Sequence, residues 1–110
     1  MSMVGIDRER WAGMTLMEQM GNIGSEVGRS IQAKRNGNQQ RFEAALSRAL
    51  DLFSATVEAT LQDQPYRTKE LLRARDQYLH LFFGDVRDLS DAPSLEKYFF
   101  HFALAARRSR

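Results

Sequence analysis

The sequence of 110 residues predicts an all-α fold, an antiparallel four-helix up-and-down bundle. Along four segments, apolar residues recur at steps of three and four, which is the spacing of a helix with one buried face. No segment alternates apolar and polar residues over the length of a strand. Because short links join the four segments, we expect neighbouring helices to run antiparallel.

A chain of this length accommodates one domain, and we assign residues 1–110 to it, with 1–13 as an irregular N-terminal segment. No apolar run approaches the roughly 18 residues that a membrane span needs. The opening "MSMVGIDRERWAG" carries charges where a signal peptide would have an apolar core. With no cysteine, the chain has no disulfide framework. We therefore expect a cytoplasmic protein that does not bind membranes.

The first long helix is predicted to follow Thr15, the N-cap, with Glu18 completing a capping box three residues later. "KRNGN" ends this helix, since Gly37 suits the left-handed position after a helix C-terminus. Its apolar face consists of Leu16, Met20, Ile23, Val27 and Ile31.

The second helix is predicted to be capped by Asn38 and to end near Gln62. It has the clearest apolar periodicity in the chain, at Phe42, Leu46, Leu50, Phe53, Val57 and Leu61. Pro65 then marks the first turn of the third helix, and Gly84 is suited to end that helix.

The third helix is predicted to turn five apolar residues inward: Leu71, Leu72, Tyr78, Leu79 and Phe82. The run "DVRDLSDAP" is rich in turn-forming residues and predicts a loop. After this loop, the fourth helix is predicted to direct Leu95, Tyr98, Phe99, Phe102 and Ala106 inward.

Three glycines interrupt the first helix, and Gly21, Gly24 and Gly28 share one face beside its apolar residues. Each glycine costs a helix about 0.8–1 kcal/mol relative to alanine. A face that approaches another backbone closely regains contacts that an exposed face would not. We therefore predict a close contact with another helix, in the same chain or in a second copy, and expect a homo-oligomer.

The other edge of the same helix is polar and carries Gln19, Asn22, Glu26 and Ser30 at helical spacing. Two interpretations stay open for this edge. It is either a polar rim around the core, or a partly buried strip at a subunit contact or ligand groove, with Glu26 among the interface residues.

Basic residues gather around the first interhelical turn and at the end of the chain. They are either solvated helix ends or a surface that contacts nucleic acid, since lysine and arginine neutralise phosphates. The candidate nucleic-acid-binding residues are Arg29, Lys34, Arg35, Arg41, Arg107 and Arg108.

Arg75 falls near the middle of the apolar arc of the third helix. Because burying an unpaired guanidinium is costly, it must meet a carboxylate, reach an edge of the helix or face a subunit contact. Glu26 is the first candidate partner, with Asp51 and Glu58 as the others.

The octapeptide "RARDQYLH" resembles the Arg-x4–6-His motif of HEPN-domain ribonucleases. The resemblance implies a small, usually dimeric helical bundle that cuts RNA without a metal. It also implies catalytic roles for His80 and for Arg73 or Arg75, with the histidine moving a proton and the arginine stabilising charge on phosphate. On an ideal helix Arg73 lies about 20° from His80 and Arg75 about 140°, so Arg73 shares a face with the histidine.

The longer runs "MTLMEQMGNIGSEVGRSI" and "YFFHFALAAR" resemble a group of small bacterial helical proteins without an assigned activity. This resemblance bears on fold and origin only.

Other chemistries find little support. Two histidines with no cysteine and no Glu-x-x-His pair do not predict a metal site, and no cofactor is expected. His101, within an aromatic run, is interpreted as a semi-buried packing residue. The leading interpretation is a cytoplasmic helical bundle that acts by association, as a homo-oligomer with a protein or nucleic-acid partner. The alternative is a metal-independent endoribonuclease that uses Arg73 or Arg75 with His80.

Overall fold

A computed structural model of the chain describes residues 8–83 and 89–108. Within these ranges the structure is helical and contains no strand, so the all-α prediction is confirmed. No helix there combines the length and the apolar character that crossing a membrane requires. The helices are α1 (Arg8–Ala12), α2 (Leu16–Arg35), α3 (Gln39–Thr60), α4 (Pro65–Phe83) and α5 (Ala92–Arg108), with a 3-10 turn at Leu89–Asp91 before α5.

Both ends of α2 form as predicted. The Thr15 hydroxyl accepts the N–H of Glu18 at 3.1 Å, while the Glu18 carboxylate accepts the N–H of Thr15 at 3.0 Å. At the other end, Gly37 has a φ of 71°. Its N–H donates to the carbonyl of Lys34 at 3.1 Å, and the N–H of Asn38 donates to the carbonyl of Ala33 at 2.9 Å. This pair of bonds is a Schellman motif, which turns the chain sharply toward α3.

The predicted caps of α3 and α4 are also found. The Asn38 side chain accepts the N–H of Arg41 at 3.1 Å, and Pro65 is the first residue of α4. Helix α3 ends at Thr60, before the predicted Gln62. Gly84, the predicted cap of the third long helix, lies outside the described residues.

Helix α1 corrects the prediction of an irregular segment over residues 1–13, of which the structure describes 8–13. The reason is Trp11, which is buried and anchors the short helix to α3. Its indole N–H donates to the Thr56 hydroxyl at 3.0 Å. The Gln19 amide donates to the Trp11 carbonyl at 2.7 Å and so fastens α1 to α2 as well.

One hydrophobic core receives side chains from all five helices. On α2, four of the five predicted core residues are buried, and Leu16 packs against them. On α3 the buried face includes alanines as well as Phe42 and Phe53, and Leu61 is wrongly predicted, being 57% exposed beyond the end of the helix. On α4 the face is rotated from the prediction, so that Leu72 is exposed. The residues buried there are Thr68, Leu71, Ala74, Tyr78, Leu81 and Phe82.

Helix α2 has the most extensive packing of the five. It packs against α3 and α5, while α3 also packs on α4, and α4 on α5. The four long helices thus form a closed ring of neighbours, in which α2 lies between the following helix and the last one.

The glycines of α2 face α5, and one of the three, Gly24, needs the absence of a side chain. A methyl group on Gly24 would stand 2.5 Å from Phe99 Cβ and 3.2 Å from its Cγ. On Gly21 it would stand 3.4 Å from the Cα of Ala103. On Gly28 it would stand 3.9 Å from the flexible Glu96 carboxylate, which is ordinary contact. The predicted close contact is therefore confirmed within the chain at Gly24, and Gly28 does not take part in it.

Alanine substitutions should separate Gly24 from Gly28. Gly24→Ala should lower the free energy of unfolding by up to about 2 kcal/mol, because overpacking costs about 1–3 kcal/mol and the gain in helix propensity offsets about 1 kcal/mol of it. Gly28→Ala should raise it by up to about 1 kcal/mol, since only the propensity changes. Urea denaturation of both variants measures this difference, and a change of the same sign in both would contradict the packing described above.

Candidate functional site

A groove of about 500 Å³ runs between α2 and α5. Its floor is made by small residues of both helices, Gly21, Gly24 and Ser25 on α2 and Ala103 on α5. The glycines let α5 lie close to α2, so the floor carries little side-chain bulk. Phe100 stands at the groove with 54% of its surface exposed. The groove is thus a shallow apolar depression beside an exposed aromatic side chain.

The α5 side of this groove has a regular order of residues. Glu96, Phe100, Ala103 and Arg107 line it at steps of four, three and four, the spacing of side chains along one contact face of a helix. Charged residues therefore stand at the two ends of the row and apolar ones at its centre. Glu96 lies 3.9 Å from Arg35 of α2, and the two side chains are 39% and 40% exposed.

The depression continues along α2 toward α1. A second groove of about 320 Å³ shares Gly21, Ser25, Ala103 and Arg107 with the first. It is also lined by Met14, Glu18, Asn22 and Ala106. We call the two together the α2/α5 groove.

The predicted basic cluster is divided among several surfaces. Arg29 and Arg41 line a groove between α2 and α3, whereas the Lys34 ammonium lies 4.8 Å from the centre of the Phe42 ring. Arg35 turns toward Glu96 on α5. Arg107 lines the α2/α5 groove, and Arg108 is exposed at the end of α5.

Glu26 binds Arg29 of its own helix and Arg48 of α3, and the second contact ties α2 to α3. Its Oε2 atom lies 3.1 Å from Arg29 Nη1 and 3.1 Å from Arg48 Nε. The carboxylate is mostly buried, with 13% of the side chain exposed. Its Oε1 atom is buried and has no hydrogen-bond partner among the described residues. Glu26 therefore faces α3.

The proposed pairing of Arg75 with Glu26 is wrong, because Glu26 is held by Arg29 and Arg48. Arg75 is half-buried, its Nε is buried without a hydrogen-bond partner, and it makes no ion pair within the described residues. The inward face of α4 is centred on residues such as Ala74 and Tyr78 rather than on Arg75. Arg75 therefore lies at an edge of the buried face.

Two residues of the predicted polar edge of α2 are buried and satisfied inside the chain. The Tyr78 hydroxyl and Ser30 Oγ are 2.6 Å apart, and Ser30 donates to the Val27 carbonyl at 2.8 Å, so Tyr78 is the donor between them. Burial raises the pKa of Tyr78 to about 12, so the phenol keeps its proton well above neutral pH. Gln19 is held by Trp11, as described above, and Asn22 is exposed.

Arg73 and His80 are both exposed on α4, seven residues apart along the helix. Neither lines the grooves described above. His101 is exposed on α5, which corrects the interpretation of a semi-buried residue. Among the described residues, no three histidine or carboxylate side chains are grouped so as to hold a metal ion.

Sequence reasoning missed Phe100, Glu96 and Arg48 as site residues. The signal for the first two was present, because Glu96, Phe100 and Arg107 follow helical spacing on the face of α5 next to its apolar residues. The signal for Arg48 was absent, since its place beside Glu26 depends on how α3 lies against α2.

Comparison of the chain with protein-family models, with curated proteins and with solved structures finds no match. The function is therefore inferred from the geometry.

Proposed function

We propose that this protein is a homodimeric interaction protein whose α2/α5 groove binds the same groove of a second copy. The observation that carries the proposal is the row Glu96, Phe100, Ala103 and Arg107 along α5, which is complementary to itself in the antiparallel direction. A two-fold interface requires this property, because the same patch must fit its own copy.

The register follows from the spacing in the row. When two α5 helices pair antiparallel about a point midway between Phe100 and Ala103, Phe100 of one copy faces Ala103 of the other. In the same register Glu96 of one copy faces Arg107 of the other, at both ends of the contact. Apolar residues then meet at the centre and opposite charges at the rim, the usual anatomy of a protein interface.

Burial of Phe100 supplies most of the driving force in this arrangement. Moving such a side chain out of water is worth about 1.5–3 kcal/mol, and the dimer contains two of them. The small floor residues allow the second helix to approach closely, which increases dispersion contacts. The exposed rim pairs add about 0.2–1 kcal/mol each and fix the register more than they add affinity.

The proposal includes the antiparallel up-and-down arrangement of the four long helices. Contacts between α2 and α5 support it. Gly21 lies by Ala103 and Gly24 by Phe99, so the two helices run in opposite directions. Between α3 and α4, the pairs Thr60 with Thr68 and Phe42 with Phe82 follow the same rule. A cytoplasmic location, supported by the absence of cysteine, also belongs to the proposal.

Replacement of the exposed aromatic side chain tests the dimer. Phe100→Glu should convert the protein to a monomer in light scattering, because it places two carboxylates in the apolar centre of the contact. The matched control is Tyr66→Glu, which changes an aromatic residue that is 65% exposed on α4, and it should leave the mass unchanged. Circular dichroism should show both variants helical. A monomeric wild-type protein, or dissociation by the control alone, would contradict the proposal.

A metal-independent ribonuclease is the second candidate function, favoured by the exposure of both Arg73 and His80 on α4. Their seven-residue separation puts them about 20° apart around the helix and about 10 Å apart along its axis, so an RNA strand lying along α4 could contact both side chains. Arg75 is less suited to the role, because its Nε is buried.

The ribonuclease function predicts cleavage of RNA in the presence of a metal chelator. His80→Ala should abolish the cleavage, because the proton-transfer group is lost. His101→Ala should retain it, since that exposed histidine lies on α5. The absence of cleavage by the wild-type protein, or equal activity of the two variants, would exclude this candidate.

A further inference from the structure

The groove between α2 and α3 has a volume of about 530 Å³ and lies between the C-terminal half of α2 and the N-terminal half of α3. Its alanine side chains, Ala33, Ala44 and Ala45, are small and leave the space between the helices open. The other described residues that line it have polar or cationic side chains: Arg29, Gln32, Asn36, Asn38, Arg41 and Arg48. We call it the arginine groove.

Glu26 holds two of the three arginines in place. It binds Arg29 from α2 and Arg48 from α3 through the same carboxylate oxygen. These contacts use one nitrogen of each guanidinium, and a guanidinium has five N–H donors. Both arginine side chains are more than half exposed, so most of these donors face the solvent.

Arg41 completes the set from the first turn of α3. Its side chain makes no hydrogen bond or ion pair with any described residue, and it is exposed at the groove. With the charge of Glu26 subtracted from three arginines, about two positive charges remain on this surface. The groove therefore combines a net positive charge with directed N–H donors.

We propose that the arginine groove binds a compact phosphorylated ligand carrying two or more negative charges. The planar fork of arginine matches the oxygens of a phosphate group, and the three amide side chains around the groove add further donors. The volume falls within the range of small-ligand sites, about 300–1,000 Å³.

The surroundings of the groove favour a compact ligand over a nucleic-acid strand. A strand needs a track of cations along its backbone. Beyond the groove, Lys34 lies over Phe42 and Arg35 turns toward Glu96 on another side of the bundle. The exposed cations next to the groove do not continue it, so the charge is concentrated on a site of small-ligand size.

Titration calorimetry of the full chain with pyrophosphate tests the site. Arg41→Gln should weaken binding by about 10-fold or more, the effect of losing a charge-assisted hydrogen bond. Lys69→Gln removes one positive charge from the exposed surface of α4 and should leave the affinity unchanged. Neither change should alter the unfolding temperature, because both side chains are exposed and the Arg41 side chain makes no hydrogen bond or ion pair with a described residue.

A second pair of variants tests whether binding needs the open space of the groove as well as its positive charge. Ala44 is exposed and lines the groove, so Ala44→Leu should fill it and abolish binding with the net charge unchanged. Ala59→Leu, at an exposed position near the other end of α3, should retain binding. No binding of pyrophosphate, or equal losses in the test and control variants, would overturn the proposal.

The same titrations with single-stranded RNA of increasing length distinguish the sources of phosphate. A compact site predicts an affinity that does not rise with length and that Ala44→Leu abolishes. Affinity that rises with length and survives Ala44→Leu would assign binding to a polyanion surface and overturn the compact site. Light scattering of Arg41→Gln should show the wild-type mass, so failure here is independent of the proposed dimer.

Discussion

The contact between Gly24 and Phe99 sets the position of α5 and, with it, the surface of the molecule. Phe99 Cβ stands where a side chain on Gly24 would begin, 2.5 Å from it, so only glycine allows this approach. Phe99 in turn is buried against Phe53, with ring centres 5.9 Å apart. The loss of helix propensity at Gly24 is thus offset by packing that extends from α2 through α5 to α3.

The outer surface depends on this contact as well. With Phe99 turned inward against the glycine, the next residue of α5, Phe100, is turned outward. Ala103 lies against Gly21 one turn further on, and the depression between the helices stays shallow. An aromatic side chain exposed beside small residues is therefore a direct consequence of how α5 packs on α2.

The proposed dimerisation and the proposed phosphate binding use different parts of α2. The α2/α5 groove takes residues from its first half, on the side of α5. The arginine groove takes Arg29, Gln32 and Ala33 from its second half and Asn36 just after its end, on the side of α3. Because the two grooves share no residue, dimerisation and phosphate binding are separable by mutation. Helix α2 thus has a buried apolar face and contributes to a groove on each side of that face.

Features that depend on neighbouring residues were predictable from the sequence. The capping box at Thr15, the left-handed Gly37 and the start of α4 at Pro65 all follow from local hydrogen bonding and backbone geometry. Features that depend on how two helices pair were predicted less well. Glu26 meets Arg48 rather than Arg75, and Gly28 is free of the close contact, because α5 passes nearer to Gly24. Sequence periodicity gives the face of a helix but not the rotation of its neighbour.

The register of the proposed dimer is the central claim, and disulfide cross-linking tests it most directly. The chain has no cysteine, so single cysteines at Glu96 and Arg107 are unambiguous reporters. In the antiparallel register, Glu96→Cys and Arg107→Cys chains mixed and mildly oxidised should form the mixed disulfide. Each variant alone should form little, because identical positions lie about 16 Å apart along the helices, beyond the roughly 7 Å limit between Cα atoms of a disulfide. Equal cross-linking in all three samples, or none in the mixture, would contradict the account.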